Sequence, residues 1–170
     1  MHACDGYVVR EMHRRCNYDL GVLETAMGHI QMELISRTTR QVREQQHDPK
    51  VSYYEGLYQR SHMVSLVILP YIDEFNLHGL SSEYLKKLSS TINQVTRYKP
   101  FEIVTVHDSF ASHANNVNWV RHNYKEIIAE IADSNLLDDL LTQINGMPCK
   151  FNMSSIGLGD KIRGSSYALS

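Results

Sequence analysis

The chain has 170 residues, of which 42% are hydrophobic and 21% charged, and a formal net charge of −2 from 17 basic and 19 acidic side chains. These values are typical of a single globular domain, and they exclude a protein that binds polyanions through an overall basic surface. Three cysteines without a C-x-x-C pair indicate neither a disulfide framework nor a zinc knuckle. No apolar stretch approaches the roughly 20 residues that span a bilayer, and residues 1–15 lack the apolar core of a secretory signal. We therefore expect no membrane partner and a cytoplasmic location.

Apolar residues at helical spacing dominate the first hundred residues. Asp5 is a candidate N-cap for the first helix, and Pro49 pushes Asp48 out of the helical region, which breaks the chain between the second and third helices. Pro100 ends the fourth. The leucine-rich face over 20–34 is expected to pack on other helices, with a surface for a partner as the alternative. The predicted helices cover residues 5–16, 19–46, 51–69 and from Ser81 or Ser82 to about 97.

The stretch "EIVTVHDSFASHA", residues 102–114, predicts a β-hairpin. A β-branched strand runs to His107, an ionisable pair stands at the tip, and apolar residues resume after Asp108. A helix is expected from Asn115, then a short helix over "DSNLLDDLLTQI" with Asp133 or Ser134 as its cap. The stretch "NGMPCKFNMSSIGLGDK" is typical of a loop. The predicted fold class is thus α+β and mostly helical, with one short antiparallel hairpin that carries His-Asp.

The pair His107–Asp108 has two readings from its chemistry alone. A hairpin tip is usually polar, so the pair could be an ordinary turn. Alternatively, Asp108 could bind Mg²⁺, which prefers carboxylate oxygens and usually takes one or two protein carboxylates together with phosphates and water. Two such ions stabilise the attacking and leaving oxygens of a phosphoryl displacement. A second carboxylate would then have to come from another part of the protein.

Three segments, in the same order, resemble the single-subunit RNA polymerases of bacteriophages and mitochondria. "VHDSFASHANNV" at 106–117 resembles the catalytic-palm hairpin of that family, which reads H-D-S-F and is often followed by T-H-A. "HACDG" at 2–6 resembles the H-S-x-D-G segment at the boundary of fingers and palm. The last residues, "SSYALS", resemble the end of those enzymes, where an aromatic residue lies close to the active site. The resemblance implies the palm segment of a DNA-directed RNA polymerase.

The resemblance also implies roles for single residues. Asp108 matches a metal-binding aspartate, and His107 matches the histidine near the 3′ end of the growing RNA. His2 matches a histidine in the minor groove of the template–product pair, and Tyr167 belongs to the terminal segment under the catalytic centre. The resemblance places the first helix near the template–RNA hybrid, where basic side chains could neutralise phosphates. The nucleic-acid-binding candidates are therefore His2, Arg10, Arg14 and Tyr167, and the catalytic candidates are Asp108 and His107.

The chain departs from the family pattern in two ways. About two dozen residues separate D-G from H-D in the family, whereas residues 7–106 intervene here. We therefore expect a palm-boundary helix over 1–19, a helical insertion over 20–96, and the palm hairpin, later helices and tail over 97–170. The second metal-binding aspartate and the fingers helix of the family are also missing. The chain is thus expected to be a fragment or one subunit, inactive without the remaining polymerase polypeptide.

The expected partners follow from this reading. They are Mg²⁺, a DNA template, nascent RNA, ribonucleoside triphosphates and the remaining polymerase polypeptide. The location is the cytoplasm of a host cell if a bacteriophage encodes the chain, with the virion as the alternative. Two alternatives stay open. One is the palm of a related DNA polymerase, although Glu usually follows His-Asp there and this chain has Ser109. The other is a helical accessory module of transcription that has no catalytic activity.

Overall fold

The computed structural model describes residues 2–39, 45–107, 109–150 and 157–166. Within these ranges the chain is mostly helical with one small antiparallel sheet, which confirms the predicted α+β class. Short 3-10 helices occur at Leu66–Tyr71, Leu77–Gly79 and Ala114–Asn116. None of the described helices is both long and apolar enough to cross a membrane. The elements are α1 (His2–Cys16), α2 (Leu20–Thr39), α3 (Pro49–Ser61), α4 (Ser82–Val95), β1 (Val104–Val106), β2 (Ser109–Ala111), α5 (Val117–Asp133), α6 (Leu136–Asn145) and α7 (Leu158–Gly164).

The chain folds as two compact units. The first, the hairpin unit, consists of residues 1–17, 60–63 and 101–170, and it contains α1, the hairpin and α5 to α7. The second, the helical unit, consists of residues 18–59 and 64–100. That the helical unit is an insertion into a polymerase palm stays a prediction.

In the helical unit, α2 packs against α4 and against the 3-10 helix Leu66–Tyr71. Leu23 and Ile30 of α2 are buried, as the leucine-rich pattern predicts for a face that packs on other helices, whereas Leu20 at the start of that pattern is 45% exposed. Ser81 caps α4, because its hydroxyl accepts a hydrogen bond from the Tyr84 amide at 3.2 Å. The apolar stripe of α4 is buried throughout, at Leu85, Leu88, Ile92 and Val95.

Arg37 connects α2 to the chain that precedes α4. Its guanidinium donates to the Glu33 carboxylate at 2.7 Å, to the Leu77 carbonyl at 3.0 Å and to the Ser82 hydroxyl at 3.0 Å. These bonds use donors on all three nitrogens of the side chain. Arg37 therefore holds the helical unit together rather than presenting a phosphate-binding surface.

Three expected elements differ from the structure. Helix α1 begins at His2, so Asp5 lies within its first turn and is not the N-cap. The helix predicted over 51–69 ends at Ser61, because His62 adopts the left-handed conformation at φ +56°, which an α-helix cannot continue. The same helix begins earlier than expected, at Pro49, since proline suits the first helical position and Asp48 accepts bonds from the two following amides. The stretch after Lys150, expected to be a loop, contains α7.

In the hairpin unit, α1 packs against α5 around a buried apolar cluster. The Phe101 amide donates to the Cys16 carbonyl at 2.8 Å, which joins the end of α1 to the segment that leads into β1. Burial raises the pKa of the Cys16 thiol to about 11. The cluster consists of Val8, Met12, Cys16, Ile103, Val120 and Ile127.

A buried ion pair crosses the same interface. Arg15, 1% exposed, donates two hydrogen bonds to the Glu130 carboxylate at 2.9 and 2.6 Å, and Glu11 lies 3.7 Å from its Nε. Burial by itself lowers the pKa of the Arg15 guanidinium, but the attraction of Glu130 and Glu11 outweighs it and raises that pKa. Arg15 therefore stays charged and fixes α1 against α5.

Candidate functional site

The His-Asp pair connects the two strands of the hairpin. β1 and β2 are antiparallel, with Val104 opposite Ala111, Thr105 opposite Phe110 and Val106 opposite Ser109. Only two residues, His107 and Asp108, remain to make the turn. Asp108 itself lies outside the described residues.

His107 adopts a backbone conformation that residues other than glycine rarely take. Its φ is +58°, in the left-handed region. Two-residue hairpins require a positive φ at the first loop position, because only such turns match the twist of the strands, and Asn or Gly is the usual solution there. Histidine is one of the few other residue types enriched in this region. The turn therefore keeps an imidazole where glycine would relieve local strain.

The two faces of the hairpin have different surroundings. On the inner face, the Phe110 ring lies 5.8 Å from the Tyr124 ring of α5, and the Thr105 hydroxyl lies 3.5 Å from Nε2 of His13 on α1. On the outer face, Val104 and Val106 are each 61% exposed. The inner contacts fix the hairpin to α1 and α5, whereas the outer face presents β-branched side chains to solvent.

The other site candidates lie on α1 or outside the described residues. His2 is the first residue of α1, with a side chain that is not described, and Arg10 is exposed on the same helix. Arg14 is partly buried and donates to the Glu11 carboxylate at 2.8 Å. Tyr167 lies outside the described residues. The structure therefore brings His107 and the α1 candidates into one unit, where Arg10 is more accessible to a phosphate than Arg14.

The metal prediction depends on Asp108. Among the residues that the structure describes, no group of three or more His, Cys, Asp or Glu side chains could hold a metal ion. One carboxylate at a hairpin turn fits Mg²⁺ as half of a site, because this ion commonly takes one or two protein carboxylates and completes its shell with phosphate and water. The remaining carboxylate would have to come from another polypeptide segment.

Comparisons with known proteins found no family model that matches the chain and no curated protein that matches it. The likeness to single-subunit RNA polymerases thus stays a prediction that depends on the three short segments.

Sequence reasoning did not predict the contacts that anchor helix α7 to α5. Lys125 of α5 donates to the carbonyls of Arg163 at 3.2 Å and Ser165 at 3.0 Å, so it caps the last turn of α7. Arg163 binds Glu126 at 3.1 Å and Asp133 at 2.7 Å. The residue that could have indicated the start of this helix is Gly157. Glycine readily adopts a positive φ, and the structure has this conformation directly before Leu158.

Close approach of the two helices also requires a glycine. A Cβ atom on the buried Gly159 would lie 2.1 Å from the Asp133 carboxylate oxygens. Lys125 follows Tyr124, whose ring contacts Phe110 in the hairpin. Neighbouring residues of α5 therefore contact both the hairpin and the end of α7.

We expect the substitution Lys125→Met to loosen α7. The last carbonyls of that helix lose their ammonium donor, and a lost bond to a charged group destabilises by about 1.5 kcal/mol. Amide hydrogen exchange in a peptide that covers 158–165 should then become about ten-fold faster. The control is Lys161→Met, since Lys161 is an exposed residue of α7 itself. Equal exchange in the two variants would mean that Lys125 does not hold the helix.

Proposed function

We propose that this chain is the C-terminal palm portion of a DNA-directed RNA polymerase that uses Mg²⁺ and works together with further polymerase polypeptide. The observation that carries the proposal is the two-residue hairpin turn formed by His107 and Asp108, within the H-D-S-F segment. The contacts of the hairpin with α1 and α5 support the proposal, because catalytic groups need strands or helices that hold them in place.

The reaction is a nucleotidyl transfer. The 3′-hydroxyl oxygen of the growing RNA attacks the α-phosphorus of a ribonucleoside triphosphate, a P–O bond forms, and the bond to the β-phosphate oxygen breaks to release pyrophosphate. When bound, Mg²⁺ stabilises the negative charge on the attacking and leaving oxygens. Asp108 would hold the ion, and His107 would lie beside the 3′ end of the RNA.

The residues of α1 would bind the nucleic acid. Arg10 is exposed and can neutralise a backbone phosphate. His13 is exposed as well and lies against Thr105 of β1. Contacts from this helix would therefore position the template–RNA hybrid relative to the hairpin turn.

The chain also presents a surface where further polypeptide could join it. A two-stranded ribbon alone is marginally stable in water, and the outer face of this one is covered neither by α1 nor by α5. Val104 and Val106 on that face are large enough to form part of an apolar interface. An additional segment that carries the second carboxylate would complete both the ribbon and the metal site.

The test is nucleotide incorporation by the complex that this chain forms in the cells that express it. The complex, purified through a tag on the full chain, is given a DNA template, an RNA primer, Mg²⁺ and either ribonucleoside or deoxyribonucleoside triphosphates. We expect the primer to be extended with ribonucleotides at least about a hundred-fold more efficiently than with deoxyribonucleotides, because a site built around the 2′-hydroxyl leaves polar groups unsatisfied when that group is missing.

Each other outcome contradicts the proposal in a defined way. Preferential incorporation of deoxyribonucleotides would assign the chain to a DNA polymerase. A complex that binds the primed template but incorporates no nucleotide would instead favour the accessory module. The chain alone, without its partners, serves as the control and should extend nothing.

A further inference from the structure

Helix α4 has a basic face opposite its buried one. The apolar stripe of the helix is buried, and the other side is exposed to solvent. Four exposed positions follow one another at intervals of four, three and four residues, which keeps them on one side of a helix. The last of them lies in the turn after the helix, where the Arg97 amide donates to the Gln94 carbonyl at 3.4 Å. The basic face consists of Lys86, Ser90, Asn93 and Arg97.

The positive charge of this segment is not compensated by neighbours in the sequence. Between Glu83 and Glu102 the chain has four basic residues and no acidic one. Lys87 lies 3.1 Å from the Glu83 carboxylate, so its charge is paired inside the helical unit. The other three basic side chains are exposed, and within the described part of the chain they form no ion pair. They are Lys86, Arg97 and Lys99.

The carboxylates of the neighbouring helix α2 do not cancel this charge. Glu33 is paired with Arg37 at 2.7 Å. Asp19, just before α2, lines a groove between that helix and the 3-10 helix Leu66–Tyr71. Glu24 is exposed, and among the described residues no ion pair joins it to α4. The three cations of the α4 segment therefore outnumber the one carboxylate of α2 itself that has no cationic partner in the described ranges.

The dimensions of the basic face match the major groove of B-form DNA. Its two cations, Lys86 and Arg97, are eleven residues apart, which corresponds to about 16 Å along a helix. The short polar side chains of Ser90 and Asn93 lie between them. The major groove is about 12 Å wide and admits an α-helix, so cations at the two ends of the face can reach phosphates on both of its sides.

The same face is less suited to other nucleic acids. Sites for single strands combine positive charge with aromatic side chains on which bases stack. The aromatic residues nearest in the sequence, Tyr84 and Tyr98, are both buried. The major groove of A-form RNA is too narrow and deep for side chains to read. Duplex DNA is therefore the polyanion that both the charge and the shape of the face favour.

We propose that the basic face of α4 binds double-stranded DNA in the major groove. Lys86 and Arg97 neutralise phosphates of the two strands, and Lys99 adds a third phosphate contact. Ser90 and Asn93 lie toward the base edges. Because most of the contacts go to phosphates, the affinity depends little on base sequence. The proposal goes beyond the polymerase assignment, since all five residues belong to the helical unit and none to the hairpin unit.

The test is binding of the full chain to a fluorescently labelled DNA duplex of 20 base pairs, followed by anisotropy without nucleotides. We expect a dissociation constant of about 10 μM at 0.1 M salt, in the range of sequence-independent DNA binding. The double variant Lys86→Gln/Arg97→Gln should bind at least about ten-fold more weakly. It should also make the slope of log affinity against log salt less steep by about 2, because two phosphate contacts are lost.

Two further variants separate the face from net charge and from helix stability. Lys50→Gln/Lys161→Gln removes the same charge from exposed positions on other helices, and it should leave the affinity and the salt slope unchanged. Cations near the end of a helix also stabilise that helix, so the two double variants are compared by urea unfolding. Ser90→Glu keeps every cation and a good helix former, but it places a negative charge in the middle of the face. It should abolish binding, so the proposal stays testable if Lys86→Gln/Arg97→Gln unfolds.

Defined outcomes would overturn the proposal. Equal binding by Lys86→Gln/Arg97→Gln and by the charge-matched control would show that the face does not bind DNA. For a single strand or an RNA duplex of the same sequence, the substitutions at Lys86 and Arg97 should cost less affinity than for the DNA duplex, and an equal cost would refute binding in the major groove. Tighter binding of poly-glutamate than of DNA would assign the face to an acidic polypeptide. Asp108→Asn should not change DNA binding, so a failure of the polymerase assignment is seen separately.

Discussion

Asp108→Asn is expected to abolish RNA synthesis by the assembled polymerase while the chain stays folded. An amide is a much weaker ligand for Mg²⁺ than a carboxylate, and the charge stabilisation that a bound metal supplies is worth several kcal/mol in the transition state. We therefore expect the rate of nucleotide incorporation to fall at least about a thousand-fold. The measurement is single-turnover extension of an RNA primer by the complex.

The fold should tolerate this change. Asparagine is favoured in tight turns, so the free energy of unfolding should change by no more than about 0.5 kcal/mol. The matched control is Glu102→Gln, which removes an exposed carboxylate six residues earlier on the segment that leads into β1. Incorporation by Asp108→Asn at the level of the wild-type complex would refute the metal assignment. Loss of folding, or an equal loss of activity in the control, would show that the carboxylate acts through the structure of the hairpin.

The elements that the sequence predicts well are those whose signals are local. The alternation around His107 predicts two strands and the tip between them, and the structure has this hairpin. The hydroxyl of Ser81 caps α4, as the sequence suggested. In both places short-range chemistry and tertiary packing favour the same conformation, so a reading of neighbouring residues is sufficient.

The elements that the sequence misses depend on the backbone conformation of a single residue or on contacts with distant residues. The end of α3 at Ser61 follows from the left-handed conformation of His62, although the apolar pattern continues beyond it. The helix α7 is only seven residues long. It is held against α5 by Lys125 of α5 and by Arg163 of α7. Short helices are marginal by themselves, so local propensity could not reveal this one.

For the candidate site, one local signal was missed and one feature was not predicted. Sequence reasoning proposed Arg14 as a phosphate ligand, although Glu11 three residues earlier on the same helix was a possible partner, and the structure has this bond. The positive φ of His107 was not predicted either. The identity of the second carboxylate cannot follow from this chain, because the proposed function places it on another polypeptide segment.

Arg15→Met is expected to destabilise the hairpin unit strongly. Glu130 would lose the two bonds that it accepts from the guanidinium, and the fully buried Glu11 would lose one of its two cationic neighbours. Removing one partner of a buried ion pair leaves a charge without compensation, at a cost of about 3–5 kcal/mol. Urea unfolding followed by the fluorescence of Trp119, the single tryptophan, reports on this unit.

Two further variants separate the ion pair from general disruption of α1. Arg10→Met removes an exposed arginine of the same helix, and a surface substitution of this kind usually changes stability by no more than about 0.5 kcal/mol. The double variant Arg15→Met/Glu130→Met removes both charges and should recover most of the loss, since an apolar pair of similar volume is often as stable as a buried ion pair. A double variant that is as unstable as the sum of its two single changes would show that α1 and α5 need the arginine for its shape rather than for its charge.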